Sequence, residues 1–334
     1  PASLGAIANG DEYPGTDTDS VWAGSIDTAS FNGDIAVVGV SLCDNSERNR
    51  FREGFRGLAV YDVSDLEAPE LLGTYDSGER TQGVHEVDVV IRSDGRVLAA
   101  ATVMQSFLHT EGASGDVRIV DITDPTHPLE VTTWDYRDAV VPLDELPSGT
   151  EGEQYHAHNV DFAGGGQRLW VAVWDAGAVL LNIDDPARPV VTDSVDAVAS
   201  AEGNVHSVIS APELGMVVLS SEDLYPFAGG VHEAGWGEQL ILDLAGEPLS
   251  TFRAGQDEAA DDASIPLDGY HTAHNAQLVD QRLYSAWYSS GVRIADLSDP
   301  AAPREIGHFV PPPTRDPQGY WIAPDGTGSM AMVW

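Results

Sequence analysis

The sequence predicts an all-β fold built from repeated four-stranded antiparallel units. Three observations carry that expectation: one apolar phrase ending in Asp and Pro recurs along the chain, turn formers are plentiful at 34 Gly and 20 Pro, and helical periodicity is hard to find. The phrase reads LAVYDVSDLEAP from Leu58, VRIVDITDPTHP from Val117, AVLLNIDDPARP from Ala178 and VRIADLSDPAAP from Val292, with a degenerate QLILDLAGEP from Gln239. Its equivalent polar position is Asp62, Asp121, Asn182, Asp243 and Asp296, at successive separations of 59, 61, 61 and 53 residues. That period is too long for a leucine-rich repeat and fits one small sheet per unit.

Each unit divides into strands in order. The first begins near Gly24, Val84, His158, Val205 and His274 in turn, as in HNVDF of the third unit and HNAQLV of the fifth. The second follows a short turn, as in RLWVAVW and RLYSAWY. The recurring phrase supplies the third, and its Asp/Pro turn leads to an outer fourth strand such as LLGTY at Leu71 or REIGHF at Arg304. Several such units are expected to stand radially as a β-propeller, with a sandwich or solenoid as alternatives. PASLGAI at Pro1 repeats the context of PELLGTY at Pro69, so Ser3 to Ile7 is expected as the outermost strand of a sixth blade. The expected whole is a single β-propeller domain over 1–334, with five complete blades and an incomplete sixth closed by the N-terminal strand and cut short at Trp334.

The phrases VRIVDITDPTHP and VRIADLSDPAAP resemble the LVIVD-repeat family of often exported β-propeller proteins. The resemblance covers nearly the whole chain and implies the fold and an extracytoplasmic setting, secreted, periplasmic or at the cell surface. It implies no activity, because the family has no single one to carry over.

Composition narrows the partners. Sixteen basic residues, all Arg, stand against 54 acidic ones, and the formal charge of −38 repels a phosphate backbone and an anionic bilayer surface. No nucleic acid is therefore expected, and no stretch approaches the length of a membrane span. Cys43 is the only cysteine, which excludes an internal disulfide and a zinc ribbon. No GxSxG elbow, P-loop, HExxH helix or dinucleotide-type GxGxxG is present, and the glycines at Gly164 fall in a hairpin turn.

The histidines carry the functional expectation. His85 in VHEVDV, His158 in AHNVDF, His206 in VHSVIS and His274 in AHNAQL open the first strand of four consecutive units. In a propeller that strand lines the central channel, so equal register brings the four imidazoles to one axis, where they would hold a single transition-metal ion. Fe or Cu is preferred and Zn is compatible. His156 and His271, two and three residues upstream of His158 and His274, are the candidate catalytic groups, as outer-shell donors or proton shuttles. No organic cofactor is expected.

Strand direction puts the variable loops on the histidine face. These hold Arg48, Arg50, Arg52 and Arg56, and the acids Glu222 and Asp223, which read as general bases or metal ligands or as ordinary loop acids. Asp124, Asp185 and Asp299 precede Pro in outer turns and read as turn chemistry, not as calcium ligands. The expectation is a metal-dependent enzyme, an oxidoreductase acting on a small molecule. The alternative is an exported, non-catalytic propeller that binds an extracellular protein or serves as a scaffold.

Overall fold

The computed structural model describes residues 7, 13, 16–42, 54–78, 81–103, 115–140, 155–195, 204–222, 237–254 and 271–311. They form five four-stranded antiparallel sheets, each with its strands in chain order. The first comprises β1 (Thr16–Asp27), β2 (Asn32–Leu42), β3 (Gly57–Asp62) and β4 (Glu70–Asp76). The second comprises β5 (Val84–Ile91), β6 (Val97–Val103), β7 (Val117–Asp121) and β8 (Leu129–Trp134). The third comprises β9 (Ala157–Ala163), β10 (Arg168–Val173), β11 (Gly177–Asn182) and β12 (Val190–Val195). The fourth comprises β13 (Val205–Ala211), β14 (Met216–Ser221), β15 (Gln239–Asp243) and β16 (Pro248–Phe252). The fifth comprises β17 (Ala276–Val279), β18 (Arg282–Ala286), β19 (Val292–Asp296) and β20 (Arg304–Phe309). Among the described residues, helix is confined to single turns at Tyr136–Ala139, Pro212–Leu214 and Tyr288–Ser290.

The recurring phrase is the third strand in every sheet, and its polar position is that strand's last residue. There the side chain turns the chain. Asp62, Asp121, Asn182, Asp243 and Asp296 each accept the backbone N–H two residues on, at 2.8–2.9 Å. Asp65, Asp124, Asp185 and Asp299 repeat the device one turn later at 3.0–3.1 Å. One oxygen of each of these side chains is thus engaged by its own backbone.

The entrance to the third strand is also shared. Gly57, Gly115, Gly177, Gly237 and Gly291 all have positive φ. At Gly57, φ is 148° and an added Cβ would lie 1.9 Å from the Tyr75 carbonyl oxygen, so only glycine fits.

The chain divides into two compact units, residues 1–174 with 179–193, and residues 175–178 with 194–334. In the first unit, Ile35, Val37, Leu58 and Val60 of one sheet pack on Val84, Val97, Ala99 and Val120 of the next, and β1 adjoins β5, which adjoins β9. In the second unit, Met216, Val218, Ile241 and Phe252 pack on Leu283, Trp287, Ala295 and Leu297, and β13 adjoins β17. Each unit is therefore sheet on sheet with first strands as neighbours.

Two boundaries differ from the sequence reading. β1 starts at Thr16, not near Gly24, because the polar run TDTDS pairs with the apolar β2 as far as Leu42. β17 starts at Ala276, two residues beyond His274. Of Ser3 to Ile7 only Ile7 is described, and it packs beside Val38, Val40 and Ala59. Cys43, Arg48, Arg50, Arg52, Asp223 and Trp334 lie outside the described residues.

Candidate metal centre

The histidines sit where the first strand is locally irregular. In β9, Ala157 faces Val173 and Asn159 faces Ala172, which leaves His158 as the extra residue. In β13, Val205 faces Ser221 and Ser207 faces Ser220, which leaves His206. His85 falls in the same kind of shift, between Val84 opposite Val103 and Val87 opposite Ala101. Ahead of β17, Ala286 accepts from His274 N and donates to Asn275 O, so two consecutive residues oppose one. A bulge of this kind re-aims one side chain out of the alternation of the strand.

The first sheet has the same irregularity. Thr18 faces Val40 and Ser20 faces Gly39, so the extra residue is Asp19. The sequence reading missed it because no histidine marks the place. Asp19 occupies the histidine register, and its Oδ2 lies 3.3 Å from His85 Nδ1 and accepts from Ser41 Oγ at 2.6 Å.

A second register accompanies the bulges. Counting six residues on from the second-strand position that faces the third-strand Asp gives Ser41, Met104, Glu222 and Tyr288. The matching backbone bonds of Ile122 to Val97, Ile183 to Gln167 and Leu297 to Gln281 add Trp174. Met104 lies outside the described residues. Each of the other four touches the bulge residue of its own sheet. Ser41 bonds Asp19, the Trp174 ring lies 4.8 Å from His158, Glu222 Oε2 lies 3.8 Å from His206 Nε2, and the Tyr288 ring meets His274 edge-on at 5.4 Å.

In the first unit, the His85 and His158 rings stand edge to face with centroids 4.6 Å apart. His156 stacks on Trp174 at 5.6 Å and lies 6.0 Å from His158. Behind them, Arg137 Nη2 donates to both oxygens of the fully buried Asp116 at 3.0 Å and to Asp135 at 2.6 Å. Asp116 in turn accepts from Ala157 N at 3.3 Å, between His156 and His158. Burial and the neighbouring Asp135 carboxylate push the Asp116 carboxyl up to about 7, against the pull of Arg137. Arg56, expected in the loop cluster, is buried and donates to Thr81 O at 2.8 Å.

In the second unit, His206, Glu222 and His274 come together. Each offers one ligand atom, and the three atoms lie within 4.8 Å of one another. All three residues are buried, His206 at 1% exposure. The His206 and His274 ring centroids are 3.9 Å apart. Donors about 2.0–2.2 Å from one ion stand at most about 4.4 Å apart, so small side-chain rotations would close this set on a metal. Glu222 is well anchored: its N donates to Asn204 O at 2.9 Å and its O accepts from Asn204 Nδ2 at 3.0 Å. The hydroxyl of Tyr288 donates to Glu222 Oε1. His271 is buried, with Nδ1 2.8 Å from Ser290 Oγ. The sequence offered Glu222 together with Asp223 as a general base, a metal ligand or an ordinary loop acid, and the further signal that singles it out is its register with Trp174 and Tyr288.

These features define an all-β protein of repeated four-stranded sheets with a histidine and carboxylate cluster able to hold a metal. Residues 113–135 match the LVIVD repeat, which the chain therefore carries. No curated protein matches by sequence. Among solved structures, the chain is similar to a Bacteroides uniformis protein provisionally named 6-phosphogluconolactonase, at 13% identity and a TM-score of 0.51 over 87% of this chain and 72% of that one. It is also similar to Saccharomyces cerevisiae Sqt1, at 9% identity and a TM-score of 0.51 over 88% of this chain and 61% of that one. The computationally designed Ika8 protein matches at 11% identity and a TM-score of 0.47, over 89% of this chain and 64% of that one. The chain thus spans less than two thirds of the Ika8 and Sqt1 chains. With the five sheets, the first two likenesses agree with a repeat β-propeller and bear on fold alone. No described helix is long and apolar enough to cross a membrane.

Proposed function

We propose that the protein is a metal-dependent enzyme, an oxidoreductase acting on a small molecule, with a mononuclear transition-metal site at His206, Glu222 and His274. The observation that carries the reading is the mutual approach of these three ligand atoms to within 4.8 Å. Two imidazoles and one carboxylate are a donor set for Fe(II) with open positions for dioxygen or substrate, and the same set suits Zn²⁺. Fe or Cu is preferred. His85 and His158, whose rings stand 4.6 Å apart in the first unit, enter the proposal as metal ligands from their sequence register alone. His156 and His271 enter it as the groups that move or hold protons behind the ligands. The proposal takes residues 1–334 as one β-propeller domain working outside the cytoplasm.

Elemental analysis of protein purified without added ions tests it. One equivalent of transition metal is expected, and it should be absent from His206→Ala. Metal content unchanged in His206→Ala, Glu222→Gln and His274→Ala would overturn the site. A wild-type chain that holds no metal under any loading would leave the non-catalytic binding or scaffold reading in its place.

A further inference from the structure

Tyr288 touches two of the three donors. Its hydroxyl donates to Glu222 Oε1, while the other oxygen, Oε2, is the one 3.8 Å from His206 Nε2. Its ring stands edge-on to His274 at 5.4 Å. The Glu222 backbone is already held by Asn204 through both its N–H and its carbonyl, so the aim of the carboxylate is set by the side-chain torsions. A donor on one oxygen restricts them. Tyr288 also has φ of 42°, a left-handed conformation costly for a residue with a bulky side chain.

Such a conformation persists only where the surroundings enforce it, and here they do. Ser290 N donates to Trp287 O at 2.7 Å, Gly291 N to Tyr288 O at 3.0 Å, and Trp287 N to Gly291 O at 2.8 Å. His271 Nδ1 lies 2.8 Å from Ser290 Oγ. Arg293 Nε donates to Ser290 O at 3.0 Å, and its Nη1 is tied to Glu305 Oε1 at 3.0 Å. The turn that presents the phenol is thus pinned from three directions, one of them through His271.

We infer that Tyr288 is the positioning residue of this centre: its phenol holds one oxygen of Glu222 and turns the other toward His206, so that Glu222 binds metal through a single oxygen. The inference rests on the metal reading proposed above. A buried tyrosine that merely satisfied its hydroxyl would contribute to folding and leave the metal indifferent, and the two roles separate on measurement.

The test uses the full chain with Co(II) as the probe, comparing wild type, Tyr288→Phe, and Tyr284→Phe as a control in the same sheet. Tyr288→Phe is expected to bind Co(II) about 10–100-fold more weakly, the scale of an outer partner's loss. The visible cobalt bands should change as Glu222 becomes free to bind through both oxygens, while the apo melting temperature moves no more than in Tyr284→Phe. In a Glu222→Gln background the Phe substitution should have no further effect, since Tyr288 acts through that carboxylate. Ser290→Ala, which frees the turn from His271, should weaken binding a few-fold in the same direction, and it decides the matter alone if Tyr288→Phe does not fold. Wild-type affinity and unchanged bands in these variants overturn the inference and leave the metal site standing. A wild-type chain that takes up no Co(II) overturns both.

Discussion

Glu222 beside His206 changes the chemistry available to a set of in-register imidazoles. A carboxylate supplies one negative charge and an oxygen donor, which favours a harder and more oxidised ion than imidazole alone would hold. Glu222→Gln keeps the shape and removes the charge, so it is expected to weaken Co(II) binding by at least about 100-fold, more than the loss of an outer partner. Titration of the apo protein checks this, and an effect below tenfold would make Glu222 a neighbour and not a ligand. Asp116 poses a different question, because its carboxyl is raised to about 7. Its proton is held more tightly in the folded chain than in the unfolded one, where the carboxyl titrates near about 3.9. Its contribution to stability is therefore full below about pH 4 and is lost as pH rises through 7. Asp116→Asn lacks this titration. The stability advantage of wild type over Asp116→Asn should shrink between pH 5 and pH 8, by on the order of a few kcal/mol in urea unfolding. An advantage that is constant or grows with pH would mean that Arg137 keeps Asp116 ionised throughout.

Among the elements, the third strands were the most legible in the sequence, because three needs coincide on them. An apolar run pairs on both sides, a terminal Asp or Asn turns the chain, and a glycine admits it. The glycine requirement is testable by contrast. Gly57→Ala places a Cβ 1.9 Å from the Tyr75 carbonyl oxygen, whereas Gly95, also at positive φ, has nothing within 4 Å. Gly95→Ala should cost about 1 kcal/mol from backbone strain alone, and Gly57→Ala about 2–4 kcal/mol, since there the strands themselves must part. Equal urea midpoints for the two variants would refute the close-approach argument. The register of the histidines could also be read, because a His at or just before the start of a first strand, followed by Glu, Asn, Ser and Asn in turn, survives comparison of one unit with the next. Asp19 and Tyr288 could not, and Glu222 was named only beside Asp223 with its role open. A bulge is a count of residues on two strands, which no single strand records. The shared position at the end of the second strand or just beyond it is filled by Ser41, Trp174, Glu222 and Tyr288, which share no chemistry that would mark them as equivalent. β1 was placed too late for a related reason: the run TDTDS carries the polarity of a loop and is held extended by the apolar strand beside it.

On the scale of the whole molecule, the formal charge of −38 on 334 residues acts on every element at once. Like charges this numerous repel one another most in the compact state, where they are closest, so the charge opposes folding while favouring solubility. Local ion pairs offset little of this, because only 16 basic residues face 54 acidic ones, and several of the arginines are engaged inside the fold, as Arg137 is with Asp116 and Arg293 with Glu305. The remaining term is screening by the solvent. The Debye length falls from about 10 Å at 0.1 M salt to about 3 Å at 1 M, short enough to decouple neighbouring surface carboxylates but not the buried pairs. Repulsion among exposed acids should therefore weaken more than the internal bonds do. The urea midpoint is expected to rise steadily with NaCl over that range, and NaCl is the proper salt because sulfate would stabilise any fold by exclusion from its surface. The same screening should weaken the approach of Co(II) to the chain, so metal association slows as stability climbs. A midpoint that falls with NaCl would place the greater electrostatic weight on exposed ion pairs such as Arg253 with Glu238 and Arg304 with Asp296, and would contradict the dominance of like-charge repulsion.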